Sequence, residues 1–440
     1  MEAENNHFSS YPEMWHFQTI EECTDKIIDY RGKTPRKTSR GVPLITAKIV
    51  KNGRIEEPNE FIDSEEYVDW MRRGMPKKGD VLLTTEAPLG EVAQITDARI
   101  ALAQRIILLR GREGLLDNSF LKYSLISDFV QSQLNSRVSG TTVTGIKQSE
   151  LRKVIIPLPP LPEQKAIARI LSSLDDKIEL NRRMNATLEQ MAQALFRAWF
   201  VDFEPVKAKA AGLQPTGMDA QTAELFPSEL VESELGLIPK GWEIGKVADL
   251  VDVVGGGTPS TKVMEYWEPG EHFWATPKDL SDLRFPILLR TERRISNLGL
   301  QKISSNLLPP GTILLSSRAP IGYLAITEIP VAINQGFIGM LPRESFSKYF
   351  VLHWTKENLE LIKSRANGST FLEVSKTNFR PINLTVPPKS VLKVFEGYVD
   401  NLHRQMVCNE KQSQTLTHLR DTLLPRLISG RLQVPDKMLL

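Results

Sequence analysis

The stretch GDVLLTTEAPLG at 79–90 returns as GTILLSSRAPIG at 311–322. A block of this length written twice in one chain of 440 residues constrains the fold before any other feature does, because self-similarity at long spacing means that one structural unit is built twice. The repeat runs along nearly the whole sequence and keeps its order. PEMW at 12–15 is echoed by PKGW at 239–242, GKTPR at 32–36 by GGTPS at 256–260, ALAQR at 101–105 by AINQG at 332–336, and GTTV at 140–143 by GSTF at 368–371. Each series closes on a double proline, Pro159-Pro160 and Pro387-Pro388, and then enters a long helical pattern. Val81, Leu82 and Leu83, like Ile313, Leu314 and Leu315, read as short buried strands, with Ala-Pro-x-Gly making the turn that follows. Helical patterns are clearest at 120–134 and 349–364, with Gly140 and Gly368 as stop signals. The expected fold class is therefore α+β: two tandem mixed α/β domains, separated by two long helices, related by a pseudo-twofold internal repeat.

Beyond Pro162, seam residues step by 4 and 3 through Ile167, Leu171, Leu174, Ile178, Asn181, Asn185, Leu188, Ala192, Leu195 and Trp199. That is a coiled-coil seam of about five heptads, and a helix over 163–201 would extend about 55–60 Å at about 1.5 Å per residue. The second half places Phe395, Val399, Leu402, Met406, Asn409, Ser413, Leu416, Leu423 and Leu427 at corresponding positions, with Arg420 the one poor fit. Connectivity favours an antiparallel pair, since a parallel one would force the linker back along the whole rod. This arrangement predicts Asn181 within about one helical turn of Asn409, where a buried Asn fixes register. The competing reading is two unrelated amphipathic helices, each packed on its own domain. FRAWFVDF at 196–203 carries more aromatic surface than the seam uses, leaving Phe196, Phe200 and Phe203 for a domain core or a partner subunit.

The expected boundaries are a first domain over 1–157, helix one over 158–203, a linker over 204–238 with one helical turn, a second domain over 239–385 and helix two over 386–434. Charged residues at 25% and hydrophobic ones at 41% are ordinary for a soluble globular protein, and no apolar run approaches the roughly 18 residues of a membrane span. The acidic start lacks a signal-peptide pattern, and Cys23 and Cys408 are too few for a disulfide framework or a cysteine zinc site. A cytoplasmic, non-membrane protein is expected.

Catalytic equipment is missing from the sequence patterns. GGGTPSTK at 255–262 fails the phosphate-loop pattern because no Gly precedes its Lys. No G-x-S-x-G elbow, H-E-x-x-H pair, Cys/His cluster or Asn/Asp-Pro-Pro-aromatic tetrad is found. Nucleic acid is suggested by local chemistry instead, because a net charge of +2 requires any basic surface to be local. Between 26 and 54 stand Lys26, Arg31, Lys33, Arg36, Lys37, Arg40, Lys48, Lys51 and Arg54 against Asp29 alone, enough to neutralise several phosphates. The matching region of the second half has fewer bases and more aromatics: Tyr266, Trp267, Phe273 and Trp274. Candidate DNA contacts in the first half are Lys33, Thr34, Arg36, Lys37, Lys48, Thr84, Thr85, Glu86, Gln104, Arg105 and Lys147. In the second they are Thr258, Ser260, Lys262, Lys278, Ser316, Ser317, Arg318, Gln335 and Lys376.

Features shared by both halves cannot distinguish one stretch of DNA from another, so the information lies in the differences. Thr84 and Thr85 against Ser316 and Ser317 keep hydroxyls for phosphates or base edges. Glu86 against Arg318 suits two different bases, since a carboxylate accepts from cytosine N4 while Arg donates to guanine O6 and N7. Gln104 and Gln335 have the chemistry to pair with adenine. The competing readings are surface charges on a loop and structural amides.

Three segments carry a family resemblance. PLPPLPEQKAIARILSSLDDKIELNRRMNATLEQMAQALFRAWFVDFEPV at 157–206 resembles the central region of type I restriction-modification specificity subunits, FPSELVESELGLIPKGW at 226–242 resembles the entry to their second target-recognition domain, and LRDTLLPRLISGRL at 419–432 their distal end. The second helix opens with KSVLKVFEGYVDNLHRQ, a departure from the more family-like opening of the first. The resemblance implies two target-recognition domains, each reading half of a bipartite double-stranded DNA site, with the paired helices setting the gap. It further implies two copies of an adenine-modifying methyltransferase subunit around the helices and a restriction or motor subunit. S-adenosylmethionine, ATP and Mg are then expected only in those partners, with no cofactor, metal or catalysis in this chain. The alternatives are a coiled-coil assembly scaffold that never touches DNA, and a fused enzyme uniting recognition and methyl transfer.

Overall fold

The computed structural model describes residues 11–30, 34–139, 144–344, 346–368 and 372–438. The chain forms two compact units, one of Met1–Glu179 with Ser413–Leu440 and the other of Leu180–Gln412. Each is built on a mixed α/β domain and takes in one portion of each long helix.

In the first unit a sheet of order Thr24–Asp29, Ile106–Gly111, Val81–Thr85, Leu89–Gln94 is antiparallel throughout. The second unit repeats that order with Val251–Gly255, Phe337–Pro342, Ile313–Ser316 and Leu324–Thr327, then adds Ile287–Leu288 in parallel at the edge. Val81–Thr85 and Ile313–Ser316 are central strands buried at every position, which is why their sequences are continuous apolar runs capped by hydroxyl residues and do not alternate. A further antiparallel pair closes each domain: His16–Thr19 with Ile155–Leu158, and Glu243–Lys246 with Asn383–Val386. The internal repeat is thus one of topology as well as of sequence.

The helical patterns at 120–134 and 349–364 each resolve into two helices: Asn118–Ile126 with Asp128–Ser136, and Lys348–Glu357 with Leu359–Ser364. At the first break Ser127 is extended and its Oγ donates to the Ser124 carbonyl at 2.6 Å; at the second, Asn358 Nδ2 donates to the Trp354 carbonyl at 2.9 Å. Such short polar side chains compete with the helix for its own backbone, a local effect that apolar periodicity does not report. The stretch expected as a linker is also more ordered than one helical turn, with helices Glu204–Ala210 and Ala220–Glu224 and a hairpin of Leu230–Ser233 with Gly236–Pro239.

The long helices are Leu161–Phe200 and Lys389–Ile428, and they pack antiparallel within each unit. In the second unit Asn181 Nδ2 donates to the Asn409 carbonyl at 3.3 Å and to Gln412 Oε1 at 2.9 Å. One turn on, Asn185 Nδ2 donates to the Met406 carbonyl at 3.2 Å and to Glu410 Oε1 at 2.8 Å, while Asn409 Nδ2 donates to Asn185 Oδ1 at 2.8 Å. Rising numbers on one helix meet falling numbers on the other, which defines the direction. Asn181, Asn185 and Asn409 are buried, so a one-residue slip would strand several amides in an apolar seam; this is how such a ladder fixes register.

Ile167 and Leu171 share the first unit's core with Leu424, Leu427 and Ile428. Arg420, the misfit of the heptad pattern, meets Asp175 at 2.9 Å, and Asp175 also meets Lys122 at 2.8 Å and the Tyr123 hydroxyl at 2.7 Å. Of the remaining seam residues, Val399 and Met406 are buried, while Leu174, Ile178, Leu188, Leu195, Leu402, Leu416 and Leu423 are half-buried. The aromatic surplus of 196–203 goes into the second unit's core. Phe196 and Phe200 lie 5.7 and 5.1 Å from Phe350, Phe200 lies 4.9 Å from Phe395, and Phe203 packs edge-on against Trp242 at 5.7 Å.

Candidate nucleic-acid interface

In both units the strand-turn block delivers one charged residue to the same structural position. Beyond Thr85, Glu86 bridges to Gly145, and Gly145 pairs reciprocally with Ser139. Beyond Ser317, Arg318 bridges to Glu373, and Glu373 pairs reciprocally with Asn367. The neighbouring amides agree: Ile146 N donates to the Thr85 carbonyl at 3.0 Å, and Val374 N to the Ser317 carbonyl at 3.0 Å.

A second shared contact joins motifs distant in sequence. Gln104 Nε2 donates to Thr34 Oγ1, and Thr258 Oγ1 donates to Gln335 Oε1, so the GxTP and AxxQ-type motifs meet in both units. Thr85 N then donates to the Arg105 carbonyl at 2.8 Å, and Ser317 N to the Gly336 carbonyl at 2.8 Å. The first unit therefore assembles Thr34, Gln104, Arg105, Glu86 and Gly145 as one run of contacts, with Lys147 exposed just beyond. The second assembles Thr258, Gln335, Gly336, Ser317, Arg318 and Glu373.

The bridge residue has opposite sign in the two runs, and in both it is matched by a partner of the other sign. Glu86 is ion-paired with Arg105 at 2.6 Å, giving a neutral pair, and Arg318 pairs with Glu373 at 3.5 Å. Lys37 is held by half-buried Glu60 at 2.8 Å, and exposed Lys278 by exposed Glu292 at 2.7 Å, where such a surface pair contributes little to stability. Arg36, Lys48, Lys262 and Ser260 are exposed, and exposed Lys376 lies over Gly255. Lys33 falls outside the described residues, as do residues 140–143 and 369–371.

The hydroxyls expected to face DNA are placed differently. Thr84, Thr85, Ser316 and Ser317 are buried. Thr84 Oγ1 accepts from Glu91 N at 2.9 Å; Ser316 Oγ accepts from Gly322 N at 3.0 Å and Tyr323 N at 2.8 Å and donates to the Pro320 carbonyl at 2.8 Å. The Thr84 and Ser316 hydroxyls bind the Ala-Pro turn to its strand, and none of the four positions is open to a base or a phosphate. A buried polar group needs an internal partner, and sequence does not say whether that partner is solvent, ligand or turn.

Sequence reasoning missed what supports the GGTPS loop. Trp274 Nε1 donates to the Gly257 carbonyl at 3.1 Å and Trp267 Nε1 to the Ser260 carbonyl at 3.1 Å. Gly257 N donates to the Ile333 carbonyl at 2.9 Å, so the loop is fixed at both ends. Gly256 is required by closeness of approach: a Cβ there would lie 2.0 Å from the Ile333 carbonyl oxygen, which is backbone and cannot yield cheaply. Gly256→Ala is expected to destabilise the second unit by about 2 kcal/mol. A denaturant midpoint unchanged from wild type would contradict that close packing.

Among the described residues no group of three or more His, Cys, Asp and Glu side chains is set to hold a metal ion, and no helix is long and apolar enough to cross a membrane. The chain belongs to the type I restriction modification DNA specificity domain family, whose pattern matches it twice, over 12–190 and 239–417. Its role is to supply DNA sequence specificity in such a system. The HindI specificity subunit of Haemophilus influenzae is 29% identical over 405 residues, covering 81% of this chain and 87% of that protein. The MjaIX specificity subunit of Methanocaldococcus jannaschii is 26% identical, covering 90% and 88%. In fold, the chain is similar to the crystal structure of the type I system S subunit from M. genitalium, with a TM-score of 0.58 at 18% identity over 94% of this chain and 96% of that one.

Proposed function

We propose that the domains over 12–157 and 239–385 each read one half of a bipartite duplex site, while the paired helices set the gap between halves and dock modification subunits. The supporting observation is a common scaffold bearing unlike charges: the same bridge position carries Glu86 with Arg105 in one unit and Arg318 with Glu373 in the other. The Thr–Gln pairs recur in both units, so they suit what the half-sites share; Glu86 and Arg318 suit what they do not. The exposed cations Arg36, Lys48, Lys147, Lys262 and Lys376 fit phosphates, which position a reader without informing it.

In this reading the chain has no reaction of its own. Two copies of a modification subunit would methylate adenine with S-adenosylmethionine, and a restriction or motor subunit would cleave with ATP and Mg. The test is to map methylated adenines in host DNA with and without this gene. A bipartite motif that vanishes with the gene is the expected result. Identical methylation in both strains would overturn the proposal, as would duplex binding by the assembled complex that does not weaken with salt, because phosphate contacts make affinity fall steeply with ionic strength.

A further inference from the structure

The strand Arg293–Ile295 pairs antiparallel with His272–Ala275, setting Arg293 opposite Trp274 and Arg294 opposite Phe273. Successive residues of a strand face opposite sides of the sheet, so the two arginines are chemically alike but differently placed. The Arg293 guanidinium lies 3.7 Å from the centroid of the Trp267 ring and 5.3 Å from that of Trp274, and the two indoles meet edge to face at 5.1 Å. These are the indoles whose N–H groups hold the carbonyls of Ser260 and Gly257. Arg293 is thus coupled through Trp267 to the loop that carries Thr258, and through Thr258 to Gln335. Arg294 instead stacks on Phe273 at 4.2 Å on the other face.

Arg293 shares two properties with Arg294, exposure without an ion pair among the described residues and stacking on a ring, and differs from it in standing on the indole that holds the Ser260 carbonyl. The Arg293 side chain is exposed, yet it makes no ion pair with a carboxylate among the described residues, whereas Lys278, Arg318 and Arg343 of the same unit are each matched by an acid. Stacking also fixes the guanidinium plane, so the fork of N–H donors is oriented before any ligand arrives and less rotamer entropy remains to be lost on binding. A flat, preoriented fork matches a pair of acceptors: guanine O6 with N7, or two phosphate oxygens.

Building on the proposed reading of DNA by the second domain, we infer that Arg293 is a DNA-contacting residue of that domain, presented by Trp267 to an acceptor pair on the second half-site. The test uses the full chain assembled with its modification subunits and a duplex carrying the motif mapped in the host, comparing Arg293→Ala, Arg293→Lys and Arg294→Ala. Arg293→Ala is expected to weaken binding at least about tenfold. If the acceptors belong to a base, one position of the second half-site is relaxed and Arg293→Lys behaves like Arg293→Ala. If they belong to phosphate, the motif is kept, Arg293→Lys retains most of the affinity, and the salt slope of Arg293→Ala falls by about one. Arg294→Ala is expected to match wild type in either case.

The inference is overturned if Arg293→Ala binds within about twofold of wild type with the same salt slope and motif, or if Arg294→Ala loses as much, since charge alone would then explain the effect. Wild-type complex that fails to bind duplex in a salt-dependent way would instead sink the reading on which the inference rests.

Discussion

Asp175→Ala is expected to lower the stability of the unit that contains it by about 3 kcal/mol, more than any exposed charge change in the molecule. The carboxylate accepts from Lys122 Nζ at 2.8 Å, Tyr123 Oη at 2.7 Å and Arg420 Nη1 at 2.9 Å. Lys122 and Tyr123 come from the domain helix Asn118–Ile126, Asp175 from the first long helix and Arg420 from the second, so one side chain ties three helices together. Its removal leaves Lys122 without its carboxylate in a largely buried gap and Arg420 with exposed Asp421 alone, which is costlier than the intact cluster is favourable. Asp176→Ala, on the same helical turn but exposed, is the control and is expected within about 0.5 kcal/mol of wild type.

The pH dependence follows with a definite sign. Burial on its own raises the Asp175 carboxyl, but the Lys122 charge and the hydrogen bonds from Lys122, Arg420 and Tyr123 outweigh it and hold the group below the usual carboxylate range. A lowered folded value means that the unfolded chain binds the proton first. The contribution is therefore fully present above the unfolded value of about 3.9 and is lost as pH falls further through the folded one. Asp175→Asn should flatten the acid limb of urea midpoints below about pH 4. A limb as steep as wild type's would show that other carboxylates carry it.

What sequence revealed and what it hid divide along physical lines. The repeat, the central strands and the helical seam are legible because each is written as a period or a copied block, and the Asn181–Asn409 pairing follows from matching seam positions together with connectivity. Arg420 looks like a flaw in the seam because its partner Asp175, which Lys122 and Tyr123 also hold, is brought to it only by folding. The hydroxyls of Thr84 and Ser316 carried the right chemistry for DNA, but which side of a turn a hydroxyl faces depends on whether a backbone amide is within reach. Arg293 escaped notice for the same reason: strand register sets it opposite Trp274 and packing brings Trp267 beneath it, and neither leaves a trace in spacing. Membership of the chain in a family is readable from long segments, whereas contacts between single side chains, the Asn181–Asn409 pairing apart, are not.

The second unit should respond to acid at a higher pH than the first, through His353. This residue lies on the helix Lys348–Glu357, is 3% exposed, and stacks on Phe196 with ring centroids 5.7 Å apart and planes at 29°. Its Nδ1 is buried without a hydrogen-bond partner among the described residues. Burial pushes the imidazole down to about 4, with Glu189 opposing the shift and Lys356 and His403 adding to it. In the unfolded chain the same ring titrates near 6.5. Between these values the unfolded state binds the extra proton, so stability is lost as pH falls from about 6.5 to about 4, by about 3 kcal/mol in total. Trp199, Trp242, Trp267, Trp274 and Trp354 all lie within 180–412, against Trp15 and Trp70 in the other unit, so tryptophan emission reports chiefly on the relevant unfolding. His353→Phe keeps an aromatic ring against Phe196 and removes the titrating group. Its urea midpoint is expected to match or exceed wild type at pH 7 and to stay nearly level down to pH 4.5, where wild type declines. If the variant declines in parallel, the protonation that weakens this core takes place elsewhere. A flat wild-type profile would mean instead that the ring is wet enough to accept its proton in the folded state, which an imidazole sealed beneath Phe196 by the end of the first long helix does not allow.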